Sequence, residues 1–311
     1  MTDVLTMGRV GVDIYPLQVG VSLREVETFG KYLGGSPTNV AVAASKLGRA
    51  AAVITRTGKD PFGEFIHDAL REYGVDDAFV TAVEGLPTPV TFCEIRPPED
   101  FPLFFYRFPK APDLVINPEE LDISAVREAK LFWATVTGLS QEPSRGAHFH
   151  AWEARAKRGF TVLDLDYRPM FWDSADAARE QVRKALPHVT VAVGNLDEVE
   201  VATGLREPYK AGQALLDAGV ELAVVKQGGA GVLGMTRDET VSVPPVPVEV
   251  VNGLGAGDAF GGALCHGLLA GWPLERVLRF ANAAGSIVAG RLACAPAMPT
   301  AAEVEGVLDV G

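Results

Sequence analysis

The sequence predicts one α/β domain over residues 1–311, in which helices cover both faces of a mostly parallel sheet and a small separate β-sheet forms a lid. Strand and helix patterns alternate regularly from residue 130 onward, as is typical of a parallel sheet. Strand-like segments at about 15–33 and 88–108 fall outside this alternation and predict the lid. A glycine-rich loop at 252–258 precedes a long run of small residues, which predicts a buried helix late in the chain.

Composition excludes several classes of protein. Hydrophobic content of 48% and charged content of 22% are typical of a globular chain. A net charge of -12 argues against binding to nucleic acid or an anionic membrane, because both require clustered cations. The three cysteines are far apart and lack metal-ligand spacing, and no apolar run has the roughly 18 residues of a membrane span. We therefore expect a cytoplasmic protein that is neither exported nor membrane-bound.

The first third of the chain supplies candidates for substrate binding. Residues 8–15 predict the first strand of the parallel sheet, and Asp13 near its end is either a ligand for a substrate hydroxyl or a turn residue. The helix that follows is expected to begin with Ser36 as its N-cap. Asn39 in its first turn lies beside Gly34 and Gly35, where a polar side chain either holds a sugar-like substrate or faces solvent.

The middle of the chain predicts a regular series of strands and helices. After a strand at 51–56 and a helix capped by Asp60, residues 88–108 form two apolar runs around a proline-rich turn, which predicts a hairpin. Pro169 favours an extended conformation for Arg168, which can then direct its guanidinium inward. The later strands are predicted at 130–136, 160–166, 189–193, 221–227 and 230–236, and the helices at 143–158, 174–186 and 196–203.

Two motifs in the second half have more than one interpretation. Asn195 and Glu198 have the spacing of a capping box, and the alternative is that they orient hydrated Mg²⁺. In the turn that begins at Lys226, Gly228 and Gly231 allow a nucleotide to approach the backbone while the lysine reaches a phosphate.

The glycine-rich loop combines an anion site with a carboxylate. Gly253, Gly255 and Gly257 can turn backbone N–H groups toward one point, and the N-terminus of the following helix adds partial positive charge. Asp258 in the first turn can accept the proton of an attacking hydroxyl, an effect of roughly 10²–10⁴-fold. This arrangement suits phosphoryl transfer to an alcohol, and the alternative is an aspartate that caps the helix behind a flexible turn.

Taken in order, these motifs resemble the ribokinase-like (PfkB) family of carbohydrate kinases across nearly the whole chain. The resemblance implies a three-layer α/β/α sandwich, dependence on ATP and Mg²⁺, and a lid through which a homodimer or higher homo-oligomer assembles. The segments that carry it are Gly34-Gly35 with Asn39, T-G-K-D-P-F-G at 57–63, Asn195 with Glu198, Lys226 with Gly228 and Gly231, and Gly255-Ala256-Gly257-Asp258.

The resemblance also implies a role for each candidate residue. Asp258 is the expected base beside an anion hole, and Asn195 and Glu198 are expected to influence Mg²⁺ through water. The anion hole is formed by Gly255, Ala256 and Gly257; the sugar lies over Asp13, Gly34, Gly35 and Asn39; and the nucleotide is bound by Lys226, Gly228, Gly231 and Asn282.

Three segments are similar to members that phosphorylate the primary hydroxyl of acidic keto sugars, namely 101–107, 164–169 and 294–300. Arg107 and Arg168 can hold the carboxylate of such a sugar. We favour 5-dehydro-2-deoxy-D-gluconate, an intermediate of inositol catabolism, because the proline-flanked lid and the C-terminal segment are most similar to the members that act on this sugar. The alternatives are 2-keto-3-deoxygluconate and then the neutral sugars fructose and ribose.

Other classes fit less well. The chain lacks an early G-x-G-x-x-G of a dinucleotide-dependent dehydrogenase and the G-x-x-x-x-G-K-[ST] of a P-loop kinase. A regulator that binds a sugar or nucleotide without catalysis is disfavoured because Asp258 and the glycine loop are retained. Asn252, Leu254 and Lys59 depart from the common family pattern, and the contacts made at those positions are left open.

Overall fold

A computed structural model describes residues 2–98 and 100–310 of the chain. It contains a large sheet of ten strands and a separate sheet of four strands. The strands are β1 (Val4–Met7), β2 (Gly11–Pro16), β3 (Phe29–Gly34), β4 (Ala51–Gly58), β5 (Val75–Asp76), β6 (Val80–Val83), β7 (Val90–Cys93), β8 (Leu103–Tyr106), β9 (Leu131–Thr135), β10 (Phe160–Asp164), β11 (Val191–Asn195), β12 (Leu222–Lys226), β13 (Val232–Met235) and β14 (Thr240–Val243).

Helices pack on both faces of the large sheet, so the predicted three-layer α/β/α fold is confirmed. The helices are α1 (Ser36–Lys46), α2 (Pro61–Glu72), α3 (Ile123–Glu128), α4 (Ser144–Arg155), α5 (Ala175–Ala185), α6 (Leu196–Thr203), α7 (Pro208–Asp217), α8 (Ala256–Leu269), α9 (Leu274–Ala289) and α10 (Ala301–Val310). None of the helices in the described part of the chain has the length and apolar character needed to cross a membrane.

The large sheet has the order β14-β13-β12-β11-β10-β9-β1-β4-β5, with β6 paired to β4. Its neighbours run parallel from β5 to β12, whereas β13 and β14 are antiparallel. The carboxyl ends of β1, β10 and β11 therefore meet at one edge, where ligands of parallel sheets gather. The sequence did not predict β14 or α7, and α7 is capped by the side chain of Glu207.

The small sheet has the order β3-β2-β7-β8 and corresponds to the separate sheet predicted from the sequence, for which we keep the name lid. One assignment was wrong: the strand predicted at 8–15 corresponds to β2 and pairs with β3 and β7 in the lid, while residues 4–7 enter the main sheet as β1. Gly8 has a φ of +143°, and it lies where the chain leaves the large sheet for the small one. The predicted hairpin at 88–108 is present as β7 and β8, and Glu99 in its turn lies outside the described residues.

Small residues bring α1 and α8 close together above the sheet. A Cβ atom at Gly261 would lie 2.8 Å from the Trp133 ring, and one at Gly262 would overlap Ala43 of α1. The run of small residues in α8 thus has a packing cause. Its consequence is that the first turns of both helices, with their polar side chains, face the same space.

Candidate active site

A cavity of about 210 Å³ lies between the lid and the carboxyl edge of the main sheet. It collects most of the side chains that the sequence singled out, although they are distributed from residue 13 to residue 258. The predicted residues that line it are Asp13, Gly35, Asn39, Arg168, Asn195, Glu198, Lys226, Gly255, Gly257 and Asp258.

Asp258 occupies the first turn of α8 and is held by two donors from α1. The Ser36 hydroxyl donates to Oδ1 over 2.7 Å, and the Asn39 amide donates to Oδ2 over 2.8 Å. Burial raises the pKa of Asp258 above its ordinary value, although these two hydrogen bonds oppose the rise. The carboxylate is therefore fixed in orientation and turned toward the cavity rather than used as a helix cap.

The expected role of Ser36 as the N-cap of α1 was wrong. Gly35 occupies the cap position with a φ of +103°, and α1 has no side-chain cap. A side chain at Gly35 would overlap the backbone of Arg9. Because the glycine makes this turn, Ser36 becomes the first helical residue and its hydroxyl is free to hold Asp258.

The glycine loop reaches α8 through a left-handed turn at Gly255, whose φ is +84°. Asn252 is fully buried and stabilises the turn: its amide donates to the Leu292 carbonyl over 2.6 Å, and its Oδ1 accepts from the Leu254 backbone over 3.0 Å. Asn252 and Leu254, which depart from the common family pattern, are thus joined to each other and to Leu292 by hydrogen bonds. Ala256 and Gly257 are the first two residues of the 14-residue α8. The partial positive charge at this helix N-terminus favours an anion beside their N–H groups.

Asp13 comes from the lid strand β2, not from the main sheet as predicted. Its carboxylate accepts from the Tyr15 hydroxyl over 3.2 Å and packs directly against Gly34, where no side chain would fit. Burial raises the pKa of Asp13 to about 7, although the charge of Arg9 opposes the rise. The lid therefore contributes a carboxyl group that titrates near neutral pH.

Two arginines share one aspartate on the opposite wall. Arg9 donates to Oδ2 of Asp166 over 3.1 Å, and Arg168 is 2.9 Å from its Oδ1. Burial works to raise the pKa of Asp166, but both guanidinium groups outweigh it and lower the pKa. Arg9 was not predicted to contribute to the site.

Arg107 does not line this cavity. It forms an ion pair of 2.7 Å with Asp113 and faces a neighbouring cavity of about 270 Å³ near Trp172. Phe105 contributes to the walls of both cavities. The structure thus brings Arg168 and Asp258 into one cavity but places Arg107 in the neighbouring one, on the other side of Phe105.

A second, larger groove of about 590 Å³ lies beyond the glycine loop. Gly228, Gly231 and Asn282 line it as predicted, together with Ala256. Gly231 has a φ of +92°, and a side chain there would overlap the Val243 carbonyl. The volume and the mainly apolar walls of this groove fit a nucleotide, so the residues present are compatible with the expected ATP.

Lys226 connects the two spaces because it lines both of them. Burial works to lower its pKa, but the carboxylates of Glu198, Asp164 and Asp258 outweigh that effect and raise it. Burial in turn raises the pKa of Asp164 to about 8. The lysine therefore remains positively charged at the junction of the two spaces.

Asn195 and Glu198 do form a capping box at the start of α6. The Glu198 backbone donates to Asn195 Oδ1 over 3.0 Å, and the Asn195 backbone donates to Glu198 Oε2 over 2.7 Å. Within residues 2–98 and 100–310, no group of three or more metal-ligating side chains is assembled. Asn195 and Glu198 also line the cavity, and their capping bonds are compatible with the expected contact with Mg²⁺ through water.

The sequence patterns did not identify Arg9 and Ser36 as functional residues. Arg9 lies two positions after the buried strand β1, and a cation at that position in an acidic chain is a signal that the sequence contains. For Ser36 the sequence indicates only a capping role, because its partner Asp258 lies 222 positions away.

Comparison with known proteins gives a consistent result. The model of the pfkB family carbohydrate kinase matches residues 1–301. A Geobacillus thermodenitrificans protein named 5-dehydro-2-deoxygluconokinase is 32% identical, with 97% of this chain and 92% of that protein covered. A Shouchella clausii protein of the same name is also 32% identical, with 99% and 95% covered.

Solved structures share the fold. A putative ribokinase II from E. coli in complex with ATP and Mg²⁺ superposes with a TM-score of 0.91 at 23% identity and covers 100% of both chains. A Vibrio cholerae fructokinase with fructose, ADP and calcium superposes with a TM-score of 0.86 at 25% identity and covers 99% of both chains.

Proposed function

Because the chain belongs to the pfkB family of carbohydrate kinases, we propose that it transfers the γ-phosphoryl group of ATP to the primary hydroxyl of 5-dehydro-2-deoxy-D-gluconate. The product is the 6-phosphate, and the reaction belongs to inositol catabolism. The names of the similar proteins support this substrate. The observation that carries the proposal is that the carboxylate of Asp258 lines the same cavity as the guanidinium groups of Arg9 and Arg168.

Asp258 is the proposed base. The sugar hydroxyl gives its proton to the carboxylate, its oxygen bonds to the γ-phosphorus, and the bond from that phosphorus to the bridging oxygen of ADP breaks. Ser36 and Asn39 hold the carboxylate at 2.7 and 2.8 Å, so it does not have to reorient during the reaction. Only ionised Asp258 can accept the proton, so its raised pKa places the acid limit of activity above that of an ordinary aspartate.

The glycine loop is the proposed anion hole. Backbone N–H groups of Gly255, Ala256 and Gly257 stabilise the charge that develops on the transferred group. Asn252 keeps the loop in place through its two hydrogen bonds. Since these donors are backbone groups that are already oriented, stabilising the charge requires little rearrangement.

The proposed nucleotide site is the larger groove lined by Lys226, Gly228, Gly231 and Asn282. Mg²⁺, when bound with the nucleotide, offsets the charge of the phosphates. Asn195 and Glu198 act on it through water, which their capping bonds allow. The sugar lies over Asp13, Gly34, Gly35 and Asn39, with its carboxylate toward Arg168.

The test is ADP formation by the purified protein with each of four sugars: 5-dehydro-2-deoxygluconate, 2-keto-3-deoxygluconate, fructose and ribose. We expect the highest kcat/KM with the first. Higher kcat/KM with 2-keto-3-deoxygluconate would move the substrate to the other acidic keto sugar, and a preference for fructose or ribose would refute the acidic substrate class. Absence of sugar-dependent ADP formation with all four would favour a non-catalytic regulator.

We also propose that the protein assembles as a homodimer through the lid and works in the cytoplasm. The lid presents exposed aromatic side chains, with Phe104 42%, Tyr106 62% and Phe108 80% exposed. Exposed apolar patches of this kind are typical of interaction sites. Light scattering of the wild type and of a Phe104→Glu, Tyr106→Glu variant tests the dimer, which the double substitution should convert to a monomer; a wild-type monomer would refute it.

A further inference from the structure

On the premise of the proposed function, we propose that Arg9 is a specificity-determining residue that binds the substrate carboxylate together with Arg168. The proposal concerns the two guanidinium groups that meet on Asp166. It assigns to Arg9 the contribution that the sequence pattern assigned to Arg107.

Position supports this assignment. Arg9 lies in the connection between β1 of the main sheet and β2 of the lid, and its side chain is only 11% exposed. It lines the same cavity as Arg168 and Asp258. Arg107 lies outside that cavity and is already paired with Asp113 at 2.7 Å.

The ion pairs around Asp166 support it as well. Asp166 accepts from Arg9 at one oxygen and lies 2.9 Å from Arg168 at the other, and Arg168 is also 4.0 Å from Glu198. Arg168 therefore has two carboxylate partners, whereas Arg9 has only Asp166 among the described residues. The carboxylate of an acidic sugar would be a second partner for Arg9, and a neutral sugar would not.

The remaining donors support it too. Arg9 directs Nε and Nη2 toward Asp166, at 3.4 and 3.1 Å, which leaves Nη1 without a hydrogen-bond partner among the described residues. The buried Nε of Arg168 likewise has no hydrogen-bond partner in the described part of the chain. Guanidinium groups have several donors in a fixed plane, and carboxylates are the acceptors that suit them.

Asp166 is then a positioning residue. It is 3% exposed and does not need to touch the sugar, because it fixes the orientation of both arginines. Phe105 adds a further constraint on Arg9, since its ring centre lies 5.8 Å from the guanidinium carbon. The arginine pair is therefore held in place before the substrate arrives.

The experiment compares 5-dehydro-2-deoxygluconate with its primary amide, which lacks only the charge. In the Arg9→Gln variant we expect KM for the acid to rise about 10- to 100-fold, as for a lost charge-assisted hydrogen bond, with kcat and the KM for the amide nearly unchanged. Arg9→Lys keeps the charge without the fork and should fall between the wild type and Arg9→Gln. Arg276→Gln, which removes an exposed arginine on α9, is the matched control.

Two results would overturn the inference. Equal losses for the acid and the amide would make Arg9 a structural residue, and a selective loss in Arg107→Gln without one in Arg9→Gln would return the role to Arg107. If the wild type phosphorylates no acidic keto sugar, the proposed function fails together with the inference; if it does and Arg9→Gln retains the preference for the acid, only the inference fails.

A measurement on the wild type covers the case in which the Arg9 variants do not fold. Phenylglyoxal modifies accessible arginines, and mass spectrometry identifies them. We expect the acid, but not its amide, to protect Arg9 and Arg168 from modification. Modification of Arg9 to the same extent with and without the acid would refute the proposal.

Discussion

The two spaces on either side of the glycine loop differ in chemistry. The smaller cavity, about 210 Å³, is lined by charged side chains such as Asp13, Arg168 and Asp258. The larger groove, about 590 Å³, is lined mainly by glycine, valine and proline. Lys226 and Gly257 belong to both. If the cavity binds the sugar and the groove binds the nucleotide, as we propose, the difference predicts recognition of the sugar by charge and hydrogen bonds and of the nucleotide mainly by shape.

This difference also predicts how the two spaces respond to substitution. A buried charged group that loses its partner costs more than an apolar wall that loses one side chain. Substitutions in the cavity should therefore change rates strongly and depend on pH, whereas those in the groove should change the KM for ATP modestly.

The largest effect is expected for Asp258→Asn. The amide retains the size of the side chain but cannot accept a proton, so kcat should fall by about 10²–10⁴-fold while the KM for the sugar stays close to wild type. Steady-state kinetics with varied sugar provides the measurement. Asp217→Asn on α7 replaces an exposed aspartate and is the matched control. Retention of most of kcat in Asp258→Asn would refute the role of the base.

Lys226→Met tests the connection between the two spaces. The substitution keeps the length of the side chain but removes the charge that faces both substrates, so kcat/KM should fall about 10²-fold for ATP and for the sugar alike. Lys210→Met on α7 is an exposed control. A loss confined to one substrate would assign Lys226 to a single site.

Much of this arrangement follows from local patterns. Strand and helix alternation, the capping box of Asn195 with Glu198 and the glycine loop before Asp258 each depend on neighbouring residues, so the sequence predicted them. The placement of β2 was wrong because an alternating strand pattern does not specify which sheet the strand joins.

The contacts that define the site are long-range. Arg9 and Asp166 are 157 positions apart, and Ser36 and Asp258 are 222 positions apart. No periodicity encodes such pairs, because they depend on how the lid and α1 dock on the main sheet. A sequence can suggest that an arginine binds a carboxylate, but the choice between Arg9 and Arg107 requires the tertiary structure.

Ser36→Ala measures what one hydrogen bond to Asp258 contributes. The hydroxyl stabilises the ionised carboxylate, so its loss should raise the pKa of Asp258 further and lower kcat about 10-fold. Activity requires the ionised form, and the acid limb of the kcat profile should therefore move to higher pH. Ser45→Ala on the same helix removes a hydroxyl that bonds to Tyr73, and it should leave the profile unchanged. An unshifted acid limb in Ser36→Ala would contradict this coupling.

The smallest effect is expected in the groove, for Asn282→Ala. The Asn282 amide donates to the Pro244 carbonyl over 2.7 Å, which leaves its oxygen as the acceptor available to a nucleotide. Loss of one neutral hydrogen bond should raise the KM for ATP about 3- to 10-fold without changing the KM for the sugar or the pH profile. Gln213→Ala, which removes an exposed amide on α7, should change neither constant. A shift of the acid limb in Asn282→Ala would mean that the groove and the cavity are electrostatically coupled beyond Lys226, because no charge is altered by this substitution.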